Sequence, residues 1–142
     1  MKRRILITAC LSTILISGLI AQSANNAAWT GVWQGDLDGQ PGVILTLAAD
    51  TGEIGGTVVL NMVSNKGGVA HVIGSDTHVL MNPHLQGNVL TFEIKRKNDE
   101  HAMQFSVAMT AAEKAKIHCL NCGADSPIAK MEKVQYSKSS PE

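Results

Sequence analysis

The sequence is poor in the features that point directly to an activity. Its 142 residues hold two tryptophans, two phenylalanines, one tyrosine and three cysteines, and its twelve basic residues balance twelve acidic ones. Such a balance excludes a basic face able to follow a phosphate backbone. The lysines and arginines are scattered apart from Lys95-Arg96-Lys97, and a run that short reads as a solvated strand end, so no nucleic-acid partner is expected. There is no nucleophile elbow, phosphate loop or zincin spacing, so no catalytic residue is assigned and no enzyme is expected. Nothing alternates strand with helix, which excludes a doubly wound fold, and no internal repeat or low-complexity linker divides the chain.

What is present begins with Met1-Lys2-Arg3-Arg4 and a mostly apolar run from Ile5 to Ile20, diluted by Thr8, Ser12, Thr13, Ser17 and Gly18. This is the pattern of a secretory signal peptide. A membrane span needs about 18 to 20 strongly apolar residues, and this run is too short and too rich in hydroxyls. Ala21-Gln22-Ser23 places small residues where a signal peptidase reads, so residues 1–23 are expected to be removed and the protein to be periplasmic or secreted. Ile7-Thr8-Ala9-Cys10 resembles a lipobox, but it leaves no proper apolar region ahead of the cut, and Cys10 is expected to depart with the signal. Losing Lys2, Arg3 and Arg4 leaves nine basic against twelve acidic residues, a formal net charge of −3. Residues 24–134 then form one domain large enough to build its own core. Residues 135–142, with their Ser-Lys-Ser-Ser-Pro composition, read as a disordered tail.

The informative signal in the domain is a period of two. Leu90, Phe92 and Ile94 alternate with polar residues; beyond a turn at 97–100, Met103, Phe105, Val107 and Met109 do the same, which predicts an antiparallel hairpin. Upstream, strands are predicted over 29–37, 43–47 and 54–63, separated by turns at 38–42 and 50–53, with weaker strands at 69–73 and 77–81. Thr110-Ala111-Ala112-Glu113 has the spacing of a capping box. The segment is short, however, and 115–119 alternates again, so a turn is preferred. Ser126-Pro127 opens either a short C-terminal helix through Lys133 or a last strand through Ala129-Lys130-Met131. The expected fold is all-β: an up-and-down antiparallel meander of seven or eight strands curled into a small barrel or barrel-like sandwich.

Trp29-Thr30-Gly31-Val32-Trp33-Gln34-Gly35, just after the signal peptide and ahead of a meander, resembles the Gly-x-Trp first-strand motif of the lipocalin and calycin superfamily. It is also similar to small secreted bacterial lipocalin-like domains that open Trp-x-Gly-x-Trp-x-Gly. The resemblance implies a barrel whose motif tryptophan, Trp33 here, sits at the closed end beneath an arginine from the last strand. No arginine follows Arg96 in this chain.

His118-Cys119-Leu120-Asn121-Cys122-Gly123 is the stretch closest to chemistry. Residues three apart on an extended strand lie roughly 10 Å apart, beyond disulfide reach, so pairing of Cys119 with Cys122 requires a tight turn centred on Leu120-Asn121. A structural disulfide is the favoured reading in an oxidising compartment, with a metal site, a redox pair and free thiols as alternatives. The redox reading lacks a helix starting at Cys119. The metal reading lacks two of four ligands, because His118 points away from Cys119 on a strand, and His71, His78, His84 and His101 read as solvent-facing. Ser75-Asp76-Thr77-His78 holds the residue types of a triad, but adjacent positions do not converge, and it reads as a polar turn. Asp36 and Asp38 read as turn residues.

No cofactor is implied. Five methionines in the mature chain, Met62, Met81, Met103, Met109 and Met131, suggest two uses for the interior. A barrel lined by Trp33, Met62, Met81, Phe92, Met103, Phe105 and Met109 would accept a small apolar ligand. Alternatively, a barrel this small is filled by its own side chains, and the protein is an accessory module that meets a protein partner with its outer surface.

Overall fold

The computed structural model describes residues 25–135. The signal-peptide reading and all but the first residue of the tail reading therefore lie outside the described residues. A helical turn over 25–29 leads into nine strands: β1 Gly31–Leu37, β2 Gln40–Asp50, β3 Glu53–Ser64, β4 His71–Val79, β5 Met81–Gln86, β6 Val89–Ile94, β7 Met103–Ala111, β8 Lys114–Cys119 and β9 Ile128–Lys133. A single 3-10 turn, Lys66–Gly68, precedes β4.

The nine strands form one antiparallel sheet in the order β4-β3-β2-β1-β9-β8-β7-β6-β5. Neighbours alternate in direction across the sheet, so β4 and β5, at opposite edges, run in the same sense. Only Leu80 separates them in the chain. The two edges are thus joined by one residue, and the sheet must curl into a half-barrel until they meet. At that junction Leu80 is buried, and its N–H donates to Gly56 O of β3 at 3.0 Å.

Local sequence accounts for most of the strand boundaries. Asp38-Gly39 and Thr51-Gly52 are two-residue hairpin loops, bracketed by the pairs Leu37↔Gln40 and Asp50↔Glu53, with positive φ at both residues of each. This is the type I′ turn, whose twist matches that of the flanking strands. The first turn is therefore shorter than the expected 38–42, and β2 begins at Gln40. Alternation holds in β6 and β7, where Leu90, Phe92 and Ile94 face Val107, Phe105 and Met103 across the ladder. Phe92 and Phe105 stack with ring centroids 5.4 Å apart. The core is completed by Leu45 and Leu47 of β2, Val58 of β3, Ala115 and Ile117 of β8, and Ala129 and Met131 of β9.

Four expectations are corrected. Strands number nine, not seven or eight, because 69–73 and 77–81 fuse into β4 and because Met81–Gln86 is a further strand. The polar Ser75-Asp76-Thr77 does not break β4, since these three residues of an edge strand are exposed and their polar side chains face solvent. β5 escaped the period-two reading because it contains Pro83, which an edge strand tolerates by leaving the N–H side unpaired. Trp29 ends the helical turn and is not part of β1. The C-terminal helix is absent among the described residues: Ala129 and Met131 take the core face of β9, which pairs with both β1 and β8. The capping-box segment is a tight turn, as preferred, between the partners Ala111 and Lys114.

Gly56 tests the seam. A Cβ there would lie 1.9 Å from Thr46 O, a main-chain atom that cannot move aside, whereas Gly55 has nothing within 4 Å. Gly56→Ala is expected to destabilise by about 1–3 kcal/mol or more in urea unfolding, and Gly55→Ala by far less.

Candidate functional site

One end of the half-barrel is closed by the helical turn. Asn25 Nδ2 donates to Gly87 O at 2.9 Å and Asn26 Nδ2 to Gly52 O at 2.8 Å, so adjacent asparagines tie the turn to loops on opposite arms of the sheet. Beneath it Trp29 and Trp33 are both fully buried, with ring centroids 5.7 Å apart, and Trp33 Nε1 donates to Trp29 O at 2.8 Å. Lys133 of β9, directly opposite Trp33 in the ladder, places its ammonium 5.7 Å from the Trp33 ring centroid and donates to Ala28 O at 3.0 Å. A cation over an indole face is attracted by the ring quadrupole. The spacing of the opening motif follows from this packing. A Cβ on Gly31 would meet Lys133 Cε at 2.8 Å, and one on Gly35 would meet Met131 Cγ at 3.2 Å. The two glycines flanking Trp33 leave room for β9.

The candidate lining residues fall into three groups. Trp33, Phe92 and Phe105 are buried in one continuous core; Met103 and Met109 are partly buried against it; Met62 and Met81 are 59% and 39% exposed at the seam. A cleft of about 740 Å³ is an open groove along the outer side of β1 and β9, bordered by Gln34, Asp36, Lys130 and Glu132. It touches none of the candidate lining residues. Phe92 and Phe105 border a cleft of about 240 Å³ beside Asn82 and Leu120.

At the other end, Cys119 and Cys122 form a disulfide with Cα atoms 5.6 Å apart, across a turn at Leu120-Asn121. Asn121 contributes through its side chain. Its Oδ1 accepts from Gln104 N at 2.8 Å and its Nδ2 donates to Ala102 O at 2.9 Å, while Leu120 N donates to Gln104 O at 2.7 Å. A side-chain amide thus extends the β7–β8 ladder past the end of β8. His118 pairs with Ser106 on the face opposite Cys119. Beside the turn, Arg96 Nε donates to Asp99 Oδ2 at 2.7 Å, and this bond raises the guanidinium above its ordinary pKa, with Asp76 adding a weaker attraction. Asp38 sits in the first hairpin loop, and Asp36 accepts from Gln34 Nε2 at 3.1 Å. Among the described residues no three His, Cys, Asp or Glu gather into a metal-binding group.

The seam presents the most unusual surface. Ser75-Asp76-Thr77-His78 is not a turn but the middle of β4. Asp76 Oδ2 and His78 Nε2 lie 3.0 Å apart on one face, yet the imidazole nitrogen is buried and lacks a properly aligned hydrogen bond. Along the strand and just before it, Val69, Ile73 and Val79 are 68%, 63% and 70% exposed, and Met62 of β3 and Met81 of β5 are exposed as well. Among the described residues β4 is an edge strand, paired to β3 alone. Sequence reading missed this site, because its signal was a weak strand with apolar residues on both sides of a polar centre. It missed Lys133 too, although a cation two places beyond Met131 on the last strand was the available clue.

The disulfide is compatible with an extracytoplasmic location, and no described helix is long and apolar enough to cross a membrane. Comparison with family models, curated proteins and solved structures finds no match to this chain.

Two outcomes check these assignments. Lys133→Ala is expected to lower stability by about 0.5–2 kcal/mol, with Lys133→Arg retaining most of it, measured by urea unfolding followed through tryptophan fluorescence. Purified protein should resist alkylation at Cys119 and Cys122 until reduced, and the Cys119→Ser, Cys122→Ser double variant should lose about 2 kcal/mol, as expected for so short a closed loop.

Proposed function

We propose that the protein is a non-catalytic, extracytoplasmic interaction module that engages a protein partner through the open edge of β4, with a solid interior. The observation that carries this reading is β4 itself: nine residues with no strand paired on one side among the described residues, carrying Ile73 and Val79 at 63% and 70% exposure. An edge strand with unpaired N–H and C=O groups is a template for strand addition, and apolar side chains beside it add specificity.

The solid interior is supported by the packing of Trp33 and of Phe92 against Phe105, where a carrier would need space. The non-catalytic reading is supported by the placement of the reactive residue types. Ser75, Asp76 and His78 lie along one strand, and His118 faces away from the disulfide. Lys133 over Trp33 also favours the lipocalin-like resemblance, because a last-strand cation stands where that pattern has an arginine.

Titration with a long-chain fatty acid and with an anilinonaphthalene dye, read by tryptophan fluorescence, tests the interior. The expected outcome is no saturable quenching of Trp29 or Trp33, and dye binding that falls in the Ile73→Lys, Val79→Lys variant. Saturable one-to-one quenching unchanged in that variant would establish a ligand cavity and overturn the proposal.

A further inference from the structure

We propose that the partner this edge accepts is a second copy of the same chain, joined by antiparallel pairing of β4 with β4 about a two-fold axis through Thr77. The inference rests on reading β4 as a docking edge, and it commits to a register.

The free edge is bounded on both sides. Met81 pairs with Glu93 of β6, so the edge is occupied from that point onward. Toward the start of β4, the register shift between Met62 and Val63 marks a bulge at Ile73 that bends the strand. Ser75–Val79 is therefore the stretch that another strand can follow in regular register. β4 carries no lysine, arginine or proline, and Asp76 is its only formally charged residue apart from its histidines. The usual devices that keep an edge from pairing are largely missing.

Self-complementarity selects the register. Centred on Asp76, the pairing would set two carboxylates directly opposite, and like charges at that distance are destabilising. Centred on Ser75, it would set Asp76 against Gly74 of the second copy and leave His78 against Val72. Centred on Thr77, it sets Asp76 opposite His78 of the second copy on both sides of the axis, Thr77 opposite Thr77, and Ser75 opposite Val79.

Each Asp76 already has its own His78 at 3.0 Å. In this register the second copy's Asp76 lies directly across the ladder from His78, beside the existing pair. Opposed threonines are a favourable cross-strand combination, and a carboxylate opposite an imidazole avoids the repulsion of two opposed carboxylates.

Sedimentation equilibrium of the purified protein, with hydrogen exchange at β4, is the test. The expected result is a reversible dimer whose β4 amides gain protection as concentration rises. Thr77→Lys and Thr77→Glu should each weaken association about tenfold or more, by placing like charges across the axis, and an equimolar mixture of the two should restore it. Restoration on mixing separates a lost contact from a misfolded variant. Thr77→Cys should cross-link to itself under oxidation, and Ser75→Cys should not. A dimer indifferent to Thr77→Lys overturns the pairing. A monomer at all concentrations with β4 amides exchanging freely overturns self-association while leaving the docking edge standing; a monomer with those amides protected overturns both.

Discussion

Everything in this structure depends on the single residue between β4 and β5. A nine-stranded antiparallel sheet can in principle lie open, its edges far apart. Here the edges are consecutive in the chain, so Leu80 fixes their separation at one peptide step and the remaining strands must bend round to satisfy it. Curvature in turn gives the sheet an inside, where Trp33, Leu45, Leu90, Phe92 and Val107 gather. It also produces the weakness of the fold. The strand that crosses the seam pairs first with β3 and then with β6, never with both, and each half is left with one side bare.

The two ends answer that constraint differently. At one end, the turn over 25–29 spans the arms of the sheet through Asn25 and Asn26, and the stacked Trp29, Trp33 and Lys133 fill the space beneath. At the other, the disulfide and the Asn121 amide brace β7 and β8, while Ser75 Oγ donates to Asn61 Oδ1 at 2.6 Å and ties β4 to β3. Lysine serves at position 133 because its flexible stem passes over Gly31, where any side chain would obstruct it.

The parts legible in the sequence were those governed by local chemistry. Alternation marked the Leu90–Ile94 and Met103–Met109 hairpin, the glycines at 39 and 52 fell within the expected turns at 38–42 and 50–53, and the cysteine spacing required a tight turn for the pair to bond. The all-β class followed from these. What was not legible depended on distant partners. Trp29 looks like the first inward residue of a strand until the asparagines before it find acceptors on Gly87 and Gly52, 62 and 26 positions away. β4 reads as two broken strands because, without a buried face, it has no reason to alternate. The choice between helix and strand after Pro127 was decided by β1, which offers β9 an unfilled edge and glycines to pack against.

The insertion of β9 between β1 and β8 also bears on the order of assembly. Until residues 128–133 arrive, the first four strands and the next four are separate sheets, linked only through Leu80, and the cation that covers Trp33 bonds a carbonyl 105 positions earlier in the chain. Contacts of such separation form late, because the intervening loop must lose its entropy before they return anything. The last strand therefore acts as a keystone. A chain emerging from its amino end cannot complete this core before residues 128–133 are available.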